Sequence, residues 1–311
     1  MSAGPRPGRI LVIKLGALGD FVQALGPFAA IRRHHADHRI TLLTTAPFVD
    51  LAGASGLFDQ VVAGARVPWW RAGTWLALRR WLRGQGYRRV YDLQTADRSS
   101  ALFHLMGPGP RPEWSGIARG CSHPHANPRR DYLHTIDRQR EQLQMAGIGD
   151  VPAADLSFLV ADVARFNLTR RYLLLVPGGS AKRPAKRWPA ERFAALAATL
   201  HREGVTPVVL GGPDERGLAQ AIVQGAGGVD LTGRTSLADI AVLARGAAAA
   251  VGNDTGPMHL IAASDCPSVV LFSAESDPAL CAPRGRLVKV LRRDRLADLE
   301  APEVAAALVL R

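Results

Sequence analysis

The sequence predicts an α/β protein of two domains, each a mainly parallel sheet flanked by helices, with a cleft between them. Three observations predict it. Short apolar runs alternate with longer amphipathic segments, the pattern of β-loop-α units and parallel strands. The alternation fades at residues 149–166 and then restarts. The chain has 311 residues, where one domain typically holds roughly 100–200. The domains are therefore expected at 1–155 and 166–311, joined by a linker at about 149–166, with the last helix free to pack back on the N-terminal domain.

In the N-terminal half, residues 10–13 read as a buried strand, 16–20 as a tight loop and 21–34 as a helix. Residues 40–44 and 90–93 read as strands, 97–106 and 134–145 as helices. Residues 107–131 hold Pro108, Pro110, Pro112, Pro124 and Pro128 among glycines and arginines, which predicts a long irregular loop. In the C-terminal half, strands are expected at 172–176, 205–210, 229–231, 247–251, 269–272 and 287–291. Helices are expected at 190–202, 214–223, 237–245, 256–263 and 303–310. In open parallel sheets ligands sit outside the carboxyl ends of strands, here the loops after Ile13, Val176 and Val251.

Composition narrows the function class. Hydrophobic residues make up 47% and charged residues 21%, ordinary for a globular protein. The net charge of +12 favours an anionic partner such as nucleic acid, a membrane surface or a phosphorylated substrate. Only four residues are lysine, so genomic bias toward arginine is a competing cause. Cys121, Cys266 and Cys281 are too sparse for a disulfide framework and suit a reducing compartment. No signal-peptide pattern and no apolar stretch of about 18 residues occur, so a cytoplasmic protein is expected.

Four segments carry candidate chemistry. Gly252-Asn253-Asp254-Thr255-Gly256-Pro257-Met258-His259 leads from a strand into a helix. Its exposed N–H groups suit a diphosphate, and Asp254 and Thr255 suit sugar hydroxyls; an ordinary capped helix with Pro257 near its start is the structural alternative. Pro177-Gly178-Gly179-Ser180 and Lys186-Arg187-Trp188-Pro189 bracket a loop that also holds Lys182 and Arg183. Cations before a helix start oppose its dipole, a cost that a bound anion offsets; a solvated basic loop is the alternative. Gly16-Ala17-Leu18-Gly19-Asp20 is a third loop, with Asp20 either a general base or a helix cap. Residues 66–89 hold seven arginines with Trp69, Trp70, Trp75 and Trp81, suiting either an anionic membrane surface or a helix that buries its tryptophans. Neither a P-loop nor a G-x-G-x-x-G spacing is present, and no D-x-D occurs. Cys121, His123 and His125 fit no usual zinc spacing. His134 and Arg138 share one helical face, either directed at the cleft or plain surface.

Together these segments resemble family 9 glycosyltransferases, the ADP-heptose:lipopolysaccharide heptosyltransferases. The resemblance runs over nearly the whole chain, from Arg9-Ile-Leu-Val-Ile-Lys-Leu-Gly-Ala-Leu-Gly-Asp20 through Val90-Tyr-Asp-Leu-Gln94, Leu210-Gly-Gly-Pro213 and Leu231-Thr-Gly-Arg-Thr-Ser-Leu237 to residues 252–259. It implies a GT-B fold, an N-terminal acceptor domain, a C-terminal sugar-nucleotide domain, and inverting transfer without metal or other cofactor. Asp20 matches the family's general base and Lys186 the lysine that steadies the diphosphate. Ser180, Asp254, Thr255, Gly256 and His259 match its donor site, with His259 open to a structural role. Gly19, Arg98, Arg119 and Arg138 are the acceptor-side candidates. The implied partners are ADP-heptose as donor and an anionic, lipid-linked saccharide as acceptor, at the inner-membrane surface and without nucleic acid. The family's Phe-Gly-Pro-Thr-Asp-Pro run ending in Trp-Gly-Pro is replaced by Phe272-Ser-Ala-Glu-Ser-Asp-Pro278 and Cys281-Ala-Pro283. That departure keeps open another sugar nucleotide or a protein acceptor. A non-catalytic nucleotide-sugar or nucleic-acid binding module is the reading from a different class.

Overall fold

The computed structural model describes residues 8–64, 72–168, 171–180 and 183–311. The chain separates into two compact units, Met1–Ala154 and Asp155–Arg311.

The first unit runs β1 (Arg9–Ile13), α1 (Leu18–Gln23), α2 (Leu25–His34), β2 (Arg39–Thr44), α3 (Val49–Ala54), β3 (Gln60–Ala63), α4 (Ala72–Gly84), β4 (Tyr87–Asp92), α5 (Asp97–Leu105), β5 (Glu113–Gly116), β6 (His123–Pro124) and α6 (Thr135–Met145). Its sheet has the order β3-β2-β1-β4-β5-β6, with every pairing parallel. Ile10, Leu11, Val12 and Ile13 are all 0% exposed, because helices cover both faces of a parallel sheet and its strands read as unbroken apolar runs.

Two features differ from the sequence expectation. The helix expected at 21–34 is two helices parted at Ala24. Pro27 lacks the N–H that would bond to residue 23, and its ring crowds that carbonyl, so a continuous helix cannot pass. Beside it, a Cβ on Gly26 would lie 2.1 Å from the Pro152 carbonyl oxygen, so only glycine lets the chain near residue 152 close on α2. Residues 107–131 are not irregular throughout: β5 and β6 extend the sheet there. Trp114 is fully buried in β5, and Pro124 stands on the outermost strand, where a missing donor is tolerated.

The second unit runs β7 (Tyr172–Val176), α7 (Ala190–Arg202), β8 (Thr206–Val209), α8 (Arg216–Val223), β9 (Val229–Asp230), α9 (Leu237–Gly246), β10 (Ala249–Asn253), α10 (Gly256–Ala263), β11 (Ser268–Phe272), α11 (Pro278–Cys281), β12 (Val288–Arg292) and α12 (Ala301–Ala307). Its parallel order is β12-β11-β10-β7-β8-β9. The core joins Leu173, Leu175, Val251 and Leu271 of the sheet to Phe193 and Leu196 of α7. The last helix, which the sequence left free to return to the N-terminal half, buries Ala301, Val304 and Ala307 in this same core.

In each sheet the strand order reverses between two parallel neighbours, β1/β4 and β7/β10. Loops leaving two such neighbours run to opposite faces and leave a crevice at their carboxyl ends. Among the described residues no helix is long and apolar enough to cross a membrane.

Candidate active site

The crevice of the second unit is assembled by Asn253, the last residue of β10 and 0% exposed. Its Nδ2 donates to the carbonyls of Pro177 at 2.8 Å and Gly178 at 3.1 Å, in the loop after β7. Its Oδ1 accepts from the Trp188 backbone N–H at 2.9 Å. One amide thus joins the glycine loop, the Lys-Arg-Trp-Pro segment and β10. Trp188 is itself 1% exposed and anchored by its indole N–H on the Leu299 carbonyl at 2.9 Å.

A second clamp comes from Glu215, in the single turn before α8. Its carboxylate accepts from the backbone N–H of Gly179 at 3.1 Å and of Gly212 at 2.9 Å. A Cβ on Gly178 would lie 1.9 Å from Glu215 Oε1, so the loop approaches this closely only as glycine.

The functional groups hang on this frame. Lys186 ends a single 3₁₀ turn, and its Nζ lies 2.6 Å from Asp254 Oδ2, with side chains 13% and 9% exposed. Arg187 Nη2 donates to the Gly179 carbonyl. Arg187 Nε and Thr255 Oγ1 are buried without a hydrogen-bond partner. Thr255 is the N-cap of α10 and does not cap it with its side chain. A cavity of about 730 Å³ opens here, lined among others by Ser180, Arg183, Lys186, Asp254, Thr255 and Gly256. Cations, backbone N–H groups at a helix start and the unpartnered Thr255 hydroxyl around one cavity suit a phosphate-bearing ligand. His259 is 7% exposed within α10 and is not among the described cavity-lining residues. Lys182 lies outside the described residues.

The crevice of the first unit is built alike. Leu15 N–H donates to Gln94 Oε1 at 2.8 Å, and Lys14 Nζ donates to the Leu93 carbonyl at 3.1 Å, tying the loop after β1 to that after β4. Asp20 is half-buried in the first turn of α1, where Oδ2 accepts from Ala17 N–H at 3.2 Å. Two charged residues that motif reading did not single out stand with it. Lys14 is 3% exposed, and burial holds its ammonium below the usual lysine range, while the charge of Asp20 works the other way. Asp92 is 0% exposed, and burial pushes its carboxyl up to about 6. Their sequence signal is a charge at the end of each apolar run, inside the segments at 9–20 and 90–94 that carry the family resemblance.

Of the acceptor-side candidates, Gly19 is buried in α1. Arg138, on α6, lies within electrostatic reach of Asp20; burial, then Arg130, lowers its pKa. Arg98 lines a separate apolar cavity of about 330 Å³ with Leu15, Trp75 and Trp81. Arg119 is exposed in the turn between β5 and β6. His134 caps α6, accepting from Ile136 N–H at 3.2 Å.

Of the tryptophan-arginine segment, Arg66, Trp69, Trp70 and Arg71 lie outside the described residues. Trp75 and Trp81 pack against the core. Arg79 and Arg83 donate to the carbonyls of Gly107 and Pro108, each at 2.8 Å, placing cations just past the end of α5, where its dipole favours them. His125 bonds Glu141 at 2.7 Å and His123 bonds Ser122 at 2.9 Å, while Cys121 donates to the Gly116 carbonyl. Among the described residues no cluster of three or more metal-ligating side chains occurs.

Residues 75–305 match the model of glycosyltransferase family 9 (heptosyltransferase). Lipopolysaccharide heptosyltransferase 1 of Escherichia coli (strain K12) is 23% identical over 96% of this chain and 99% of its own length. Over 35% of this chain and 33% of its own length, lipopolysaccharide heptosyltransferase 2 of Salmonella typhimurium is 35% identical. A family 9 glycosyl transferase from Veillonella parvula superposes with a TM-score of 0.82 at 21% identity, covering 96% of this chain and 95% of its own. An E. coli heptosyltransferase solved with ADP superposes with a TM-score of 0.76 at 23% identity, covering 96% and 98%. At these identities the structures establish a GT-B fold, built here from two six-stranded parallel sheets.

Proposed function

The chain belongs to glycosyltransferase family 9 and is a glycosyltransferase, and from that premise we propose that it moves heptose from ADP-heptose to a hydroxyl of the lipopolysaccharide core. The observation that carries the donor half is the cavity at the β7/β10 crevice, where Lys186, Arg183 and the start of α10 meet Asp254. Relatives named as lipopolysaccharide heptosyltransferases support the sugar and the acceptor class.

In this reading the second unit holds the donor and the first unit the acceptor. The acceptor oxygen attacks the anomeric carbon from the face opposite the diphosphate. Its proton passes to the Asp20 carboxylate, the anomeric carbon–oxygen bond to the diphosphate breaks, and ADP leaves with the bonding pair. The configuration inverts. Charge grows on the diphosphate oxygens, and in this reading Lys186, with Arg183 and the N–H groups of Thr255 and Gly256 around the cavity, stabilises it. Thr255 Oγ1, buried without a partner at the cavity wall, becomes satisfied once a phosphate oxygen arrives. Fixed cations of this kind take the role a metal ion plays elsewhere, in keeping with the missing D-x-D. Ser180, exposed on the cavity wall, and Asp254 contact the donor, while His259 supports α10 from within. Arg138, Arg98 and Arg119 meet the anionic groups of the acceptor at the inner-membrane surface.

Calorimetry with ADP-heptose, ADP, UDP and GDP, without added metal, tests the donor. Selective binding of ADP-heptose, lost in Lys186→Ala, is the expected result. Preference for another nucleotide keeps the transferase and replaces the donor, a second reading favoured by the altered stretch at 272–283. No binding of any nucleotide overturns the proposal.

A further inference from the structure

Ser276 lies in the loop between β11 and α11, inside the stretch where the sequence departs from the family pattern. Its hydroxyl donates to Asp254 Oδ2 at 2.8 Å. The Lys186 ammonium takes the same oxygen at 2.6 Å. Among the described residues both side-chain hydrogen bonds to Asp254 end on Oδ2 and none on Oδ1. A carboxylate held by two donors on one oxygen has its plane set by them, and its second oxygen keeps its acceptor capacity.

The two donors are not equivalent. Lys186 lines the cavity, so arriving phosphate competes with Asp254 for its ammonium. Ser276 is not among the described cavity-lining residues, and the next residue caps α11: Asp277 Oδ1 accepts from Ala279 N–H at 2.9 Å and lies 4.0 Å from Arg292. Its bond to Asp254 is thus the one for which a phosphate in the cavity does not compete.

We infer that Ser276 is a positioning residue that fixes the Asp254 carboxylate so that Oδ1 meets a hydroxyl of the donor's sugar, which makes the loop at 273–277 a determinant of which sugar is accepted. This rests on the cavity being the sugar-nucleotide site. ADP carries no such sugar, so the Ser276 contribution must show in ADP-heptose and not in ADP.

The test compares both ligands, without acceptor, on the wild-type protein, Ser276→Ala and Ser276→Thr. Ser276→Ala should weaken ADP-heptose about tenfold, the scale of one hydrogen bond to a charged group, and leave ADP within about twofold. Ser276→Thr, which keeps the hydroxyl, should restore most of the loss. If Ser276→Ala retains the wild-type gain of ADP-heptose over ADP, or weakens both ligands equally, the inference is overturned while the donor reading stands. If the wild-type protein binds ADP-heptose no more tightly than ADP, the donor reading fails and takes the inference with it.

Discussion

The Lys186 ammonium lies 2.6 Å from the Asp254 carboxylate, an ion pair that joins the basic turn after β7 to the end of β10. The pair prepositions both groups at the cavity wall. With side chains 13% and 9% exposed, neither charge is well solvated once the other is removed.

Lys186→Met and Asp254→Asn should each lower stability by about 1–3 kcal/mol, and the double variant should lose less than their sum. Urea unfolding of the four proteins measures the cycle. Strict additivity would show that the pair contributes nothing to the fold.

Asp20→Asn should reduce kcat by about 10²–10⁴, the range for loss of a general base, with ADP-heptose affinity unchanged. Asp20 and the donor cavity belong to different units, so donor binding is a built-in control. Retained turnover would remove Asp20 from the mechanism.

Gly178→Ala puts a Cβ where Glu215 Oε1 lies 1.9 Å away and should drive that side chain from the N–H groups of Gly179 and Gly212. Nucleotide affinity should fall about tenfold or more, since each bond between loop backbone and carboxylate contributes about 1–3 kcal/mol. Gly217→Ala is the control, because a Cβ there meets nothing within 4 Å and Gly217 is not among the described cavity-lining residues. Equal affinities for the two variants would show that the Glu215 clamp does not shape the site.

Burial raises the Asp92 carboxyl from 3.8 to about 6, so the folded protein binds this proton more tightly than the unfolded chain. The stability it lends is present below pH 3.8 and is lost as pH rises through about 6. Asp92→Asn removes that dependence. Between about pH 4 and about pH 8, unfolding free energies should shift in favour of the variant by up to about 3 kcal/mol. A constant difference across that range would place the titration of Asp92 elsewhere.

The sequence by itself determined the α/β class and the loops that bear chemistry. Strands buried on both faces appear as unbroken apolar runs such as Ile10–Leu11–Val12–Ile13, and glycine or a charge at their ends marks where the backbone must turn. These are properties of neighbours in the chain, and so are Lys186 in its basic turn and Asp254 before its helix. Tertiary structure decided what brings distant residues together. Asn253 reaches Gly178 and Trp188, Glu215 clamps Gly179, and Ser276 meets Asp254 because the β11-β10-β7-β8 strand order sets those loops side by side, an order local periodicity does not encode. The same holds for β5 and β6, which a proline-rich composition concealed and which form because β4 offers β5 an edge to pair with and β5 in turn offers one to β6. It holds too for Lys14 and Asp92, whose charges are buried only because two neighbouring strands end at one crevice.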